Sequence, residues 1–305
     1  MQSLNPSSDP TWVFHVATEL SRTEELPPQE LTERARSLVD ATRNLRGEHV
    51  RELIGEMLVG RGVHLSLQWM HECGLLGIWL PELEATVNFS QEAGRRHKDV
   101  WEHTKTVVRQ SVPRPEVRWA ALLHDIGKVH TRAFLADGGV TFHRHSEVGV
   151  RMFHEVQKRF TFERGLKQKL RFLILHHLRP GQYEASWTDS AVRRFDRELQ
   201  EHLKDLLDLS RADITSARPG KRQAALENIS NLQGRIELLR SEDAIQPPLP
   251  TGIGNVIMEH FKLAPSRQIG DLKRELERLV EAGELEARRE AEYYLAHVAT
   301  MLPDK

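Results

Sequence analysis

In ALLHDIGK an imidazole and a carboxylate, His124 and Asp125, stand side by side at the end of an apolar run. His124 shares a helical face with Val117, Ala120 and Ala121. Three other segments repeat the pattern. In DVWEHTKTVV, His103 falls on the stripe of Val100 and Val107; in LRFLILHHLRP, His177 continues Leu170, Leu173 and Ile174; in HLKDLLDLSRADI, Asp213 continues Leu203, Leu206 and Ser210. Four helices thus each aim an imidazole or a carboxylate inward. A buried carboxylate is costly unless it is paired or holds a cation. Any one of these histidines has an ordinary reading as a hydrogen-bonded core residue, but four helices together point to a shared ligand. Imidazole with carboxylate suits a borderline or hard divalent cation such as Mn, Fe, Ni, Zn or Mg. Such a cation activates water and polarises a phosphoryl oxygen, so the chemistry expected is hydrolysis at phosphorus.

The rest of the chain must supply the elements that hold these groups. Its 305 residues suffice for two or three domains, and 39% hydrophobic with 29% charged residues fits a helix-rich globular protein. Aromatics at 6% argue against broad stacking platforms for single-stranded nucleic acid. The formal net charge of −1 announces no polyanion partner, so any nucleic-acid contact is expected to be local, at clusters such as Arg95-Arg96, Arg193-Arg194 or Lys221-Arg222. The single cysteine, Cys73, excludes an internal disulfide and a thiolate zinc knuckle, and fits a reducing cytoplasm. No basic segment followed by an apolar one opens the chain and no apolar run reaches a membrane-spanning length, so a cytoplasmic protein without a membrane partner is expected.

The periodicity predicts an all-α fold with one short β-hairpin. Helices are expected over Pro27–Leu45 and Glu48–Leu58, then through LSLQWMHECGLL, KDVWEHTKTVVRQ, RWAALLHDIGK, SEVGVRMFHEVQKRF, LKQKLRFLILHHL and SAVRRFDRELQEHLKDLLDLSRADI, the last capped by Asp189 or Ser190. Asp137-Gly138-Gly139 between two apolar runs predicts the hairpin. A charged helix, KRQAALENISNLQGRIELLR, precedes the linker QPPLP. The expected domains are an N-terminal helical bundle over 1–90, a central domain over 91–245 and a helical tail over 246–305.

The order His103, His124-Asp125, Asp213 resembles the signature of the HD superfamily of metal-dependent phosphohydrolases. The likeness is closer to one branch. KDVWEHT, RWAALLHDIGK, FHRHSEVG, HHLRP, WTDSAVRRF and LSRADIT resemble, in order and spacing, the HD region of bacterial tRNA nucleotidyltransferases, the CCA-adding and poly(A) polymerase family. LPEL at Leu80–Leu83 and the tail from GNVIMEHF are similar to that family's neck and C-terminal segments, so the resemblance covers nearly the whole chain. It implies an HD-domain helical bundle flanked by N- and C-terminal helical segments. The family's catalytic head, with its Gly-Ser turn and paired aspartates, has no counterpart here. Where its neck carries nucleotide-reading arginines, DPTWVFH places Trp12 and His15. Nucleotide addition is therefore not expected.

The resemblance implies His103, His124, Asp125 and Asp213 as core metal ligands, with Asp125 bridging to a second ion held by His145 and His177. His145 is favoured over His143 because HSEVG resembles the family's His-x-x-x-Gly pattern. His177 is favoured over His176 for its stripe and its HLRP context. Lys128, one helical turn beyond His124, Arg179, Arg193 and Arg194 are candidates to bind the phosphate, with Lys128 and Asp125 in catalytic roles. One or two divalent ions, Mn, Ni, Fe, Co or Mg, are the expected cofactor. The function implied is hydrolysis of ribose phosphates (2′,3′-cyclic phosphates, 2′-phosphates or phosphomonoesters) on nucleotides or RNA 3′ ends, with tRNA as a possible partner. A catalytically silent RNA-binding scaffold is the alternative.

Overall fold

The computed structural model describes residues 7–89, 99–136, 139–245 and 247–302. Arg95-Arg96 and the start of the second helical block near His97 lie outside the described residues, as do Asp137 and Gly138 of the predicted hairpin turn. The helices are α1 (Trp12–Thr23), α2 (Gln29–Leu38), α3 (Gly47–Leu58), α4 (Val63–Glu72), α5 (Leu75–Trp79), α6 (Pro81–Glu84), α7 (Val100–Gln110) and α8 (Pro115–Leu123). After the hairpin of β1 (Ala133–Phe134) and β2 (Val140–Thr141) come α9 (His145–Phe160), α10 (Arg164–His176), α11 (Asp189–Leu199) and α12 (Leu203–Asp213). The chain ends in α13 (Pro219–Ile245), α14 (Ile253–Phe261), α15 (Arg267–Glu281) and α16 (Ala291–Met301). Among the described residues the antiparallel β1–β2 pair, with Ala133 opposite Thr141, is the one sheet, as the periodicity predicts. No helix of the described residues is long and apolar enough to cross a membrane.

Two compact units result, one from Met1–Gln182 with Lys204–Leu226, the other from Tyr183–Leu203 with Glu227–Lys305. In the first, α8 is the central strut: every residue from Val117 to Leu123 is buried, the mark of a helix enclosed on all sides. Its buried charge, Arg118, is 4% exposed and donates to the carbonyls of Ser111 (2.9 Å) and Leu58 (2.8 Å), tying α8 to the ends of α7 and α3. Burial lowers this guanidinium to about 10. Trp12, which stands where the family's neck has an arginine, is buried in the N-terminal core, while His15 is exposed. The second unit has its own core, built from Ile253, Ile257, Leu272, Leu276, Tyr294 and Val298 on α14 to α16.

Local structure departs from the periodicity in three places. The Pro27–Leu45 run is α-helical only over Gln29–Leu38 and tightens to a 3-10 helix at Asp40–Asn44. There the buried Thr42 hydroxyl accepts the Trp79 indole N–H at 3.0 Å. The long run after Thr188 breaks at Gln200, whose φ is +37°, so α11 and α12 are separate helices. The cap of α11 is Thr188 rather than Asp189 or Ser190: its hydroxyl accepts from the Ala191 N–H at 3.2 Å.

Candidate metal centre

Four elements of the first unit converge on Asp125. The α-helical backbone of α8 ends at His124, and Asp125 takes φ −109° and ψ 4°, in the bridge region between helix and strand. A 3-10 turn, Ile126–His130, follows in place of a continued α-helix. Gly127 in that turn packs against the start of α9 so closely that a Cβ would lie 2.1 Å from the His145 carbonyl oxygen and 2.6 Å from the Gly149 N. Only glycine permits this approach, and it brings His145 beside Asp125. On the far side of β2, Arg144 adopts a left-handed φ of +60°, turning the chain into α9 immediately before His145.

The imidazoles are oriented alike. His124 Nδ1 lies 2.8 Å from the Ala121 carbonyl oxygen, His145 Nδ1 2.9 Å from that of Phe142, and His177 Nδ1 2.8 Å from that of Ile174. A carbonyl can only accept, so each Nδ1 carries a proton and each Nε2 is left for the centre. His103 Nδ1 meets the Thr215 hydroxyl at 2.9 Å. The Ser210 hydroxyl donates to the His177 carbonyl at 2.8 Å, locking the end of α10. Such outer contacts fix ring orientation in metal sites.

The four Nε2 atoms form two groups around the two oxygens of Asp125. His103 and His124 Nε2 are 3.3 Å apart and each 3.2 Å from Asp125 Oδ2; Asp213 Oδ1 closes this group at 3.0 Å from His103 and 3.4 Å from His124. His145 and His177 Nε2 are 3.2 Å apart, at 3.3 and 3.9 Å from Asp125 Oδ1. Within each triad, His103–His124–Asp125 and Asp125–His145–His177, the donor atoms all lie within 4.8 Å of one another. Asp125 Oδ1 is buried and accepts no hydrogen bond among the described residues. At a metal–nitrogen distance of about 2.1 Å, ligands at octahedral or tetrahedral angles stand about 3.0 to 3.4 Å apart. The Nε2 separations fit that spacing, and an orphaned buried carboxylate oxygen among imidazole lone pairs is explained by a cation. The two triads have the donor types and spacing that could hold a divalent metal.

The electrostatics agree. Burial alone would lower the His124 imidazole, but the charges of Asp125 and Asp213 outweigh it and push it up to about 10. His103 is raised against its own burial by hydrogen bonds to the same two carboxylates. Burial would raise Asp125; His124 and Lys128 beside it instead hold it well below the usual carboxylate range. Hydrogen bonds from His103 and His124 do the same for Asp213 against its burial. His177, buried and close to His124, is lowered to about 4 and stays neutral.

Of the other predicted residues, Lys128 reaches back to Asp125 Oδ2 at 2.6 Å, a pair made possible by the 3-10 turn rather than by one turn of α-helix. It also lines an open groove of about 670 Å³ beside the second triad, with Phe142, His143, His176, Leu178 and Arg179. His143 is exposed, and His176 is half-buried with its ring 4.5 Å from Phe172. Arg193 and Arg194 belong to the second unit; Arg193 pairs with Asp243 through two nitrogens at 2.7 and 2.8 Å, and Arg194 is exposed. Helical periodicity placed Ser210 on the inward stripe without its role at His177 and missed Thr215. The signal for Thr215 was its place two residues after Asp213, on the segment that leaves α12 past His103.

The HD domain family model matches residues 86–218, a stretch that includes all six ligand candidates and Thr215. The A-adding tRNA nucleotidyltransferase of Deinococcus radiodurans is 29% identical over 265 residues, 84% of this chain and 59% of that protein. The CC-adding tRNA nucleotidyltransferase of Thermus thermophilus is 30% identical over 259 residues, 82% of this chain and 56% of that protein. The multifunctional CCA protein of Pseudomonas syringae pv. syringae is 27% identical over 218 residues, 68% of this chain and 52% of its own length. The chain thus spans between about half and three fifths of these relatives. Two His/Asp triads inside an HD domain support metal-dependent phosphohydrolysis. Residues 86–218 form an HD domain, in a chain homologous at low identity to the CCA-adding and poly(A) polymerase family.

Proposed function

We propose that this chain is a metal-dependent phosphohydrolase acting on ribose phosphates: 2′,3′-cyclic phosphates, 2′-phosphates or phosphomonoesters of nucleotides or RNA 3′ ends. The observation that carries the reading is Asp125, a buried carboxylate whose oxygens each face a pair of Nε2 atoms, with Oδ1 accepting no hydrogen bond among the described residues. His103, His124, Asp125 and Asp213 would hold one ion, and Asp125, His145 and His177 a second. Imidazole and carboxylate donors without thiolate favour Mn, Ni, Fe, Co or Mg. When bound, the ion supplies Lewis-acid charge and a water that ionises near neutrality.

The chain's own residues bind and orient. Lys128, held by Asp125 at the edge of the groove, and Arg179 on its wall present positive charge where phosphoryl oxygens gain negative charge in the transition state. Neutral His177 keeps its lone pair available at neutral pH. The groove is open, so it accepts a phosphate carried on a larger group. Relatives named as tRNA nucleotidyltransferases support RNA, tRNA included, among the substrates.

The test is hydrolysis of a generic phosphodiester and of 2′,3′-cyclic nucleotides with Ni, Mn, Mg and Co, comparing wild type with His124→Ala/Asp125→Ala. Metal-dependent turnover lost in the variant is expected. No turnover and no bound metal in the wild type would sink the reading and favour a silent RNA-binding scaffold.

A further inference from the structure

The geometry points to a second binding surface beside the metal groove: we propose that the outer face of α10 holds single-stranded RNA whose 3′ end lies in that groove. This rests on the function proposed above and names its substrate class as a polynucleotide rather than a free nucleotide.

α10 buries Leu170, Leu173 and Ile174 and turns its opposite face to solvent. At about 100° per residue, Arg164, Gln168, Arg171 and Leu175 fall within about 60° of one another on that face, with Lys167 beside them. The side chains of Arg164, Lys167 and Arg171 make no hydrogen bond or ion pair among the described residues. Another cation of the same helix behaves differently: Lys169 pairs with Asp205 at 2.9 Å and lies 3.8 Å from Glu116. Arg164, Lys167 and Arg171, with Phe162 and Gln168, line a shallow groove of about 600 Å³ that has no carboxylate in its wall. The carboxylate nearest in sequence is Glu163, which precedes the helix.

The face then runs into the metal groove. Leu175 and Leu178 are 37% and 42% exposed and line that groove together with His176 and Arg179. From Arg164 to Leu175 the helix rises about 17 Å, or about five steps at ~3.4 Å per nucleotide of stacked strand. Uncompensated cations attract phosphates, and exposed leucines at the groove give apolar surface for the terminal base. The combination fits a strand with a phosphate backbone and bases better than an isolated phosphate ester, which would fill the metal groove alone.

The experiment is fluorescence anisotropy with a 5′-fluorescein octaribonucleotide ending in a 2′,3′-cyclic phosphate, using the full chain in EDTA so that no turnover is needed. Neutralising three phosphates gives a slope of log affinity against log salt of about −2, or roughly a sixteen-fold loss of affinity between 50 and 200 mM salt. R164Q/K167Q/R171Q should lose most of that slope and weaken binding at least ten-fold, with an unchanged thermal melt. In parallel, its hydrolysis of a cyclic mononucleotide should match wild type while KM for the octaribonucleotide rises. Equal affinity and slope in the two proteins, no binding by wild type at low salt, or equally tight binding of an acidic peptide would each overturn the proposal. Binding that behaves as expected without any hydrolysis would support the surface and refute only the catalytic reading.

Discussion

Gly127→Ala is the sharpest perturbation of the centre, because it adds one methyl group where the backbone of α9 leaves no room. The new Cβ would lie 2.1 Å from the His145 carbonyl oxygen. Ordinary carbon–oxygen contacts begin at about 3.3 Å, so the start of α9 must retreat by about 1.2 Å. Gly127 is not among the positive-φ residues, so the cost is steric rather than conformational. Retreat carries His145 Nε2 from 3.3 Å to about 4.5 Å from Asp125 Oδ1. Two donors bound at about 2.1 Å cannot be more than about 4.2 Å apart, so one ion can no longer hold both. The first triad uses no residue of α9 and should keep its ion. Overpacking should cost about 1–3 kcal/mol, or roughly 3–10 °C in Tm. The assay is isothermal titration with Mn or Co, with metal content measured after dialysis. Loss of one of two binding events, or at least a hundred-fold weakening of one, is expected. Gly165→Ala, where a Cβ meets nothing within 4 Å, should leave binding unchanged and is the control. A Gly127→Ala protein with wild-type Tm and both binding events intact would refute the reasoning.

Other predictions follow from the same contacts. His145→Ala and His177→Ala should each weaken metal binding, whereas His143→Ala and His176→Ala should leave the titration unchanged. Thr215→Val removes the partner of His103 Nδ1 and should cost about 10- to 100-fold in metal affinity or activity. Metal loading must displace the proton that the carboxylates hold on His124, whose pKa is pushed up to about 10, so affinity should rise with pH. Titration at pH 7 in buffers of different ionisation enthalpy should detect about one proton or more released. In EDTA, the stability His124 contributes is fully present below its ordinary value of 6.5 and is lost as pH rises towards 10. The contribution of Asp125 and Asp213, whose folded pKa values are depressed, runs oppositely and is lost as pH falls into the acid range. Melting of the EDTA-treated protein across pH 3–10 checks both limbs. Arg118→Met leaves the Ser111 and Leu58 carbonyls without their buried donor and should cost roughly 2–4 kcal/mol in chemical denaturation.

Much of the fold was legible because helical periodicity is a local property. The helix Glu48–Leu58 is found at Gly47–Leu58, and the predicted hairpin is present as the β1–β2 pair. Where local preference was ambiguous, contacts decided. The 3-10 end of one helix holds Thr42, whose hydroxyl accepts the Trp79 indole N–H, and Gln200 broke a run that reads as one amphipathic helix. His176 and His177 are adjacent and both imidazoles. Backbone direction at the end of α10, where Nδ1 of His177 reaches the Ile174 carbonyl, sets which ring turns inward. The same holds for His143 and His145, separated by the left-handed turn at Arg144.

The sequence by itself determined which side chains point inward: periodicity sets the face each residue occupies on its own helix, whatever the helix packs against. It also carried the donor chemistry, imidazole and carboxylate without thiolate. Only the tertiary structure decided how these donors divide. His103 and His124 are 21 residues apart, His145 and His177 are 32 apart, and Thr215 is 112 from the ring it orients. Placing one pair at each oxygen of Asp125 required the contact of Gly127 with α9, a fit between backbones whose closeness no side-chain pattern records.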